Sequence, residues 1–98
     1  MYNKKFVEKC KKIVARYYNE HTDGDMILPE DVYVVWLCRE LGNNKALLST
    51  PAPDGMYYEI TYNGAKNEAY VDAYKKKTKH MWTRIKSRRM YALNLSRR

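Results

Sequence analysis

The sequence predicts an α+β fold: one N-terminal helix packed on a four-stranded antiparallel meander, with a basic C-terminal extension whose spacing permits a helix. Three observations predict it. Apolar residues recur with a helical period near the N-terminus, and residues 56–62 alternate as a strand does. Turn-forming residues then separate further runs rich in β-branched and aromatic side chains. The length of 98 residues suits one domain, and a 45% hydrophobic share suits an ordinary core.

The helix is expected over residues 4–20. Phe6, Cys10, Ile13, Val14 and Tyr17 fall on one face of a 3.6-residue period, while Lys5, Lys9 and Lys12 lie mostly on the other. Asn3 is placed to cap it, and the polar stretch His21–Gly24 to end it. Residues 32–41, VYVVWLCREL, read as a strand buried on both faces. A helix starting at Pro29, Glu30 and Asp31 is the competing reading. Gly42–Asn44 makes a turn, Lys45–Thr50 a second strand, and Pro51–Gly55 a tight connection.

In the third strand Met56, Tyr58, Ile60 and Tyr62 share one face, and Tyr57, Glu59 and Thr61 the other. Glu68–Lys75 returns as the fourth. A two-residue Asn63-Gly64 loop would set Glu59 against Glu68, an unfavourable like-charge pair. A four-residue loop, Asn63–Lys66, instead sets Ile60 against Ala69, Tyr58 against Val71, Met56 against Ala73 and Glu59 against Tyr70. The division expected is a single domain over residues 1–77 and a basic tail over 78–98.

Charge is distributed unevenly. Residues 1–74 hold nine Lys/Arg and eleven Asp/Glu; residues 75–98 hold ten Lys/Arg and no acid. A segment of this kind binds polyanions or is simply solvated. Lys75, Lys76, Lys77, Lys79, Arg84, Lys86, Arg88 and Arg89 are therefore the candidate nucleic-acid-binding residues. The helical spacing of Trp82, Ile85 and Arg89, and of Met81, Ile85 and Arg88, permits a basic helix here.

Catalytic and metal chemistry are not signalled. His21 and His80 lack partners at metal-ligand spacing, and no phosphate-binding glycine motif or nucleophile elbow occurs. Cys10 and Cys38 form no CxxC pair, and both are expected in the core rather than beside His21 as a nucleophile. Glu59, Glu68 and Asp72 are expected as solvated acids on the outward sheet face. No cofactor and no catalytic residue is assigned. No apolar run approaches the length of a membrane span, and the N-terminus does not read as a signal peptide.

Tyrosine is in excess, at ten residues. Tyr33, Tyr57, Tyr58, Tyr62, Tyr70 and Tyr74 fall in expected strands, where packing accounts for most of them. Tyr57, Tyr70 and Tyr74 share the outward face and are the candidate protein-binding residues. The acids among them argue against stacking nucleic-acid bases on that face.

Five segments also carry a resemblance: YYNEH (Tyr17–His21), VVW (Val34–Trp36), NNKALLST (Asn43–Thr50), DGMYYEITYNG (Asp54–Gly64) and EAYVDAYKK (Glu68–Lys76). Together they resemble an uncharacterised family of small proteins of phages and prophages of Gram-positive bacteria. The resemblance spans roughly residues 4–77 and is expected to end near Lys77. It implies an accessory gene and a cytoplasmic location in the host cell, and it transfers no site residues. The expected function is non-enzymatic binding of a host or phage protein, in host nucleic-acid machinery or a defence system. The alternative is direct, non-specific nucleic-acid binding through the basic tail. The oligomeric state is left open.

Overall fold

The computed structural model describes residues 4–40, 43–78, 81–84 and 89–92. Helix α1 runs Lys4–Glu20, as its periodicity predicts, and buries Phe6, Cys10, Ile13, Val14, Ala15 and Tyr17. The expected cap Asn3 lies outside the described residues. Past the helix, Asn19 acts as a peptide-like clamp. Its amide nitrogen donates to the Ile27 carbonyl at 3.0 Å and its oxygen accepts from the Ile27 N–H at 2.9 Å. These bonds hold the returning loop against α1. Pro29–Asp31 then form one 3₁₀ turn, with the Asp31 carboxylate accepting from the Leu28 N–H at 2.9 Å. The competing helical reading thus survives as a single turn before the strand.

The strands are β1 (Tyr33–Glu40), β2 (Asn43–Ser49), β3 (Met56–Asn63), β4 (Glu68–Thr78), β5 (Met81–Arg84) and β6 (Arg89–Ala92). All pairings are antiparallel, in the order β1-β2-β3-β4-β5, with β6 also on β4. The helix on an antiparallel sheet is the α+β architecture the sequence predicts. The sheet continues beyond residue 77. β5 pairs with Tyr74–Thr78 and β6 with Glu68–Val71, so strands stand where the spacing permitted a helix.

The helix covers one sheet face. Its buried side chains share a core with Ala46, Leu48, Tyr58, Ile60, Tyr62, Ala69, Val71 and Ala73. Phe6 meets the Tyr62 ring at 6.0 Å, and Tyr17 meets Tyr58 edge-on at 5.7 Å. The small side chains Ala69, Val71 and Ala73 of β4 make room for the helix, as expected, and Ala46 of β2 joins them in the core.

Two expectations are corrected. β1 is an edge strand covered by the helix layer on one face alone, with no layer over the other among the described residues, so its apolar run is not buried on both faces: Tyr33, Val35, Trp36 and Cys38 are exposed. A β-bulge between Val34 and Trp36 further turns this edge. The β3–β4 register also differs by two residues from the one expected. Ile60 pairs with Val71, Tyr58 with Ala73, Met56 with Lys75 and Glu59 with Asp72. The loop does have four residues, but they are 64–67. Asn63 stays in the strand, its side-chain oxygen accepting from the Ala65 and Lys66 N–H groups at 3.0 and 3.3 Å. Asn67 closes the turn at φ 54°, a left-handed conformation that asparagine tolerates, and its Oδ1 accepts from the Tyr62 hydroxyl at 2.9 Å. A two-residue shift preserves which side chains face the core, so the faces are as predicted.

Candidate binding face

The face away from α1 is organised by the register. Trp36, Leu47, Glu59 and Asp72 form one row across β1 to β4. Tyr57 and Tyr74 are opposite one another in the next row, and Tyr70 is opposite Thr61 on the other side. The three candidate tyrosines therefore flank a central pair of carboxylates, and all three are half-buried.

Glu59 and Asp72 are directly opposed like charges, which alone would destabilise the pairing. Cations from both flanking strands offset this. Lys45 Nζ lies 3.6 Å from Glu59 Oε2, and Arg84 Nη2 lies 3.7 Å from Asp72 Oδ1. The Arg84 guanidinium also sits 5.9 Å from the Tyr74 ring centroid. Phenols complete the arrangement. The Tyr74 hydroxyl donates to Glu59 Oε1 at 3.4 Å and the Tyr70 hydroxyl to Glu68 Oε1 at 2.7 Å. These bonds fix two aromatic rings with their polar tips on acids. The acids are not simply solvated, contrary to expectation. Asp72 is 0% exposed and Glu59 is half-buried. Thr61 Oγ1, on the same face, is buried without a hydrogen-bond partner among the described residues.

The other candidates lie elsewhere. Lys75, Lys76 and Arg84 are exposed on the β4–β5 ribbon, where Lys75 opposes Thr83 and Tyr74 opposes Arg84. The backbones of Lys77 and Arg89 lie in β4 and β6. Lys79, Lys86 and Arg88 lie outside the described residues. Cys10 is in the core, and burial pushes its thiol up to about 12. Cys38 is exposed, because the outward face of an edge strand has no layer above it among the described residues. His21 stacks on Tyr17 at 4.1 Å, with Nδ1 2.8 Å from the Tyr17 carbonyl oxygen, so it finishes the helix and does not join a cysteine. Among the described residues no three His, Cys, Asp or Glu side chains are grouped to hold a metal ion, and no helix is long and apolar enough to cross a membrane.

Sequence reasoning missed a groove of about 630 Å³ between the end of α1 and the returning loop, lined by Ala15, Arg16, Asn19, Met26, Leu28 and Pro29. The signal was present: Met26, Ile27 and Leu28 are apolar in an otherwise polar connection.

The fold and this face define a small α+β protein whose sheet gives one side to its core and presents rigid tyrosines and tethered carboxylates on the other. The chain belongs to DUF6275, a family of unknown function, whose model matches residues 7–84. The match includes β5 and so extends past Lys77, where the resemblance was expected to end. No curated protein and no solved structure matches the chain.

Proposed function

We propose that this chain is a non-enzymatic binding module that takes a protein partner on the face bearing Tyr57, Tyr70 and Tyr74. The observation that carries this reading is the tethering of Tyr70 and Tyr74 to Glu68 and Glu59. Rings already held in place lose little side-chain entropy on binding, which is what makes an aromatic anchor effective. With Glu59 and Asp72 offset by Lys45 and Arg84, the face offers a partner aromatic and hydrogen-bonding groups rather than a net charge. The resemblance to small phage and prophage proteins supports an accessory role, with host nucleic-acid machinery or a host defence protein as the partner class. The test is affinity capture from host extract with the wild-type chain and a Tyr57→Ala/Tyr70→Ala/Tyr74→Ala variant of matched melting behaviour. The variant loses the captured partner; retention of every partner would leave the face as plain sheet surface.

A second reading, direct nucleic-acid binding, is favoured by the exposure of Lys75, Lys76 and Arg84 on a two-stranded ribbon. Such binding would be indifferent to sequence. Its log–log salt slope would be near −4 to −5 if about five cations engage phosphate. Replacing Lys75 and Lys76 by Gln tests it cleanly, since a chain ending at Lys77 would strip β5 and β6 from the edge of β4. An unchanged slope would remove these lysines from the reading.

A further inference from the structure

We infer that the chain forms a two-fold dimer through the outer edge of β1, with the β1 strands of two copies side by side and antiparallel. β1 ends the sheet: it pairs with β2 on one side, and no strand lies beyond it among the described residues. An open edge of this kind is where a second chain associates most readily. Three of the five exposed large hydrophobic side chains among the described residues stand on it: Tyr33, Val35 and Trp36. The bulge leaves Val35 without a partner on β2, and the two consecutive residues Val35 and Trp36 are both exposed. Clustered apolar exposure marks a contact surface.

Charge selects a second copy as the occupant. The strand is entered through Glu30 and Asp31 and carries Arg39 near its far end. Glu30 and Arg39 are exposed, and neither side chain makes an ion pair or hydrogen bond among the described residues. Asp31 is exposed as well, with one carboxylate oxygen accepting from the Leu28 N–H. Val35 stands four residues from Asp31 and four from Arg39. An antiparallel copy that meets the first at Val35 therefore sets Arg39 beside the other's Asp31 and Glu30, twice by symmetry. A purely basic partner would satisfy the acids and repel Arg39, whereas a reversed second copy satisfies both ends. Tyr33, Val35 and Trp36 lie between the charged ends, giving an apolar centre with a charged rim. The bulge limits backbone pairing across the axis, so side chains make this centre. The contact is isologous and closes at two copies.

Sedimentation velocity on the full chain, kept in reductant so that the exposed Cys38 does not crosslink copies, tests the inference. The wild-type chain should pass from monomer to dimer with rising concentration and go no further. Arg39→Glu faces acid with acid, and Glu30→Lys faces cation with cation, both at exposed positions. Each variant alone, shown folded by circular dichroism, should dimerise at least about tenfold more weakly than wild type, because like charges meet twice. Their equimolar mixture should recover a dimer of near wild-type affinity, since opposite charges then meet at both ends. Val35→Lys, which sets two cations on the axis, should be monomeric. A wild-type chain that stays monomeric, growth beyond the dimer, or unchanged dimerisation in any of the three variants would each overturn the inference. So would an Arg39→Glu and Glu30→Lys mixture that associates no more tightly than its components.

Discussion

Replacing Arg84 by Met removes the cation beside Asp72 while keeping the bulk of the side chain. Asp72 is 0% exposed and faces Glu59 across the β3–β4 ladder, so its carboxylate is in poor solvent next to a like charge. Breaking a fully buried ion pair costs about 3–5 kcal/mol. The Arg84 side chain is 51% exposed, so water screens its 3.7 Å contact and the expected loss falls to about 1–3 kcal/mol. For a chain of this size that lowers the melting temperature by roughly 5–20 °C. The assay is a double-mutant cycle with Asp72→Asn, read by thermal and urea denaturation. If the carboxylate is the source of the penalty, Asp72→Asn should recover most of the loss in the Arg84→Met background. An Arg84→Met chain that melts like wild type would refute the reasoning. So would additive losses in the double variant, which would show that the two residues act independently.

Ile13→Asp should unfold the chain, because Ile13 is 6% exposed in the core and an unpaired buried charge costs several kcal/mol; a wild-type melt would contradict the placement of α1. A thiol reagent at mildly alkaline pH should label Cys38 in the native chain and both cysteines in denaturant, and rapid native labelling of Cys10 would contradict its burial. Stability should also fall at alkaline pH. Burial raises the Cys10 thiol to about 12 and raises the Tyr58 phenol too, with Asp54, Tyr17 and Tyr18 adding to the latter. Above the ordinary thiol and phenol ranges the unfolded chain releases two protons that the folded chain retains. The unfolding free energy should therefore decline by up to about 2.7 kcal/mol per pH unit above roughly pH 10, and a flat profile of denaturation against pH would count against both assignments.

Much of the fold was legible because its patterns are local. The spacing of Phe6, Cys10, Ile13, Val14 and Tyr17 defines one helical face, and α1 runs over the residues that spacing predicts. The alternation from Met56 to Tyr62 separates core from outward side chains in β3. What was not legible depends on neighbours. VYVVWLC reads alike at an edge and at the centre of a sheet, and only strand order shows Trp36 and Cys38 to be exposed. The register rested on avoiding one like-charge pair, whereas the turn chemistry of Asn63 and Asn67 decided it. The like-charge pair that resulted, Glu59 with Asp72, is offset by Lys45 and Arg84, which are distant in sequence. The last strands were hidden because the cations of the C-terminal quarter resemble a solvated segment. The outward tyrosines were found by parity alone, but their tethering to Glu59 and Glu68 needed the structure.

The central claim is that partners are held by the tyrosine face. Hydroxyl-radical footprinting of the chain with and without its captured partner tests it most directly, residue by residue. Anchors of this kind lose about 2 kcal/mol or more on truncation because they are fully desolvated in the complex. Oxidation of Tyr57, Tyr70 and Tyr74 should therefore drop sharply on binding, while Met26 at the exposed end of the groove keeps its rate. Unchanged tyrosine oxidation, with protection confined to Met26 and the β1 edge or to the basic β4–β5 ribbon, would contradict the claim.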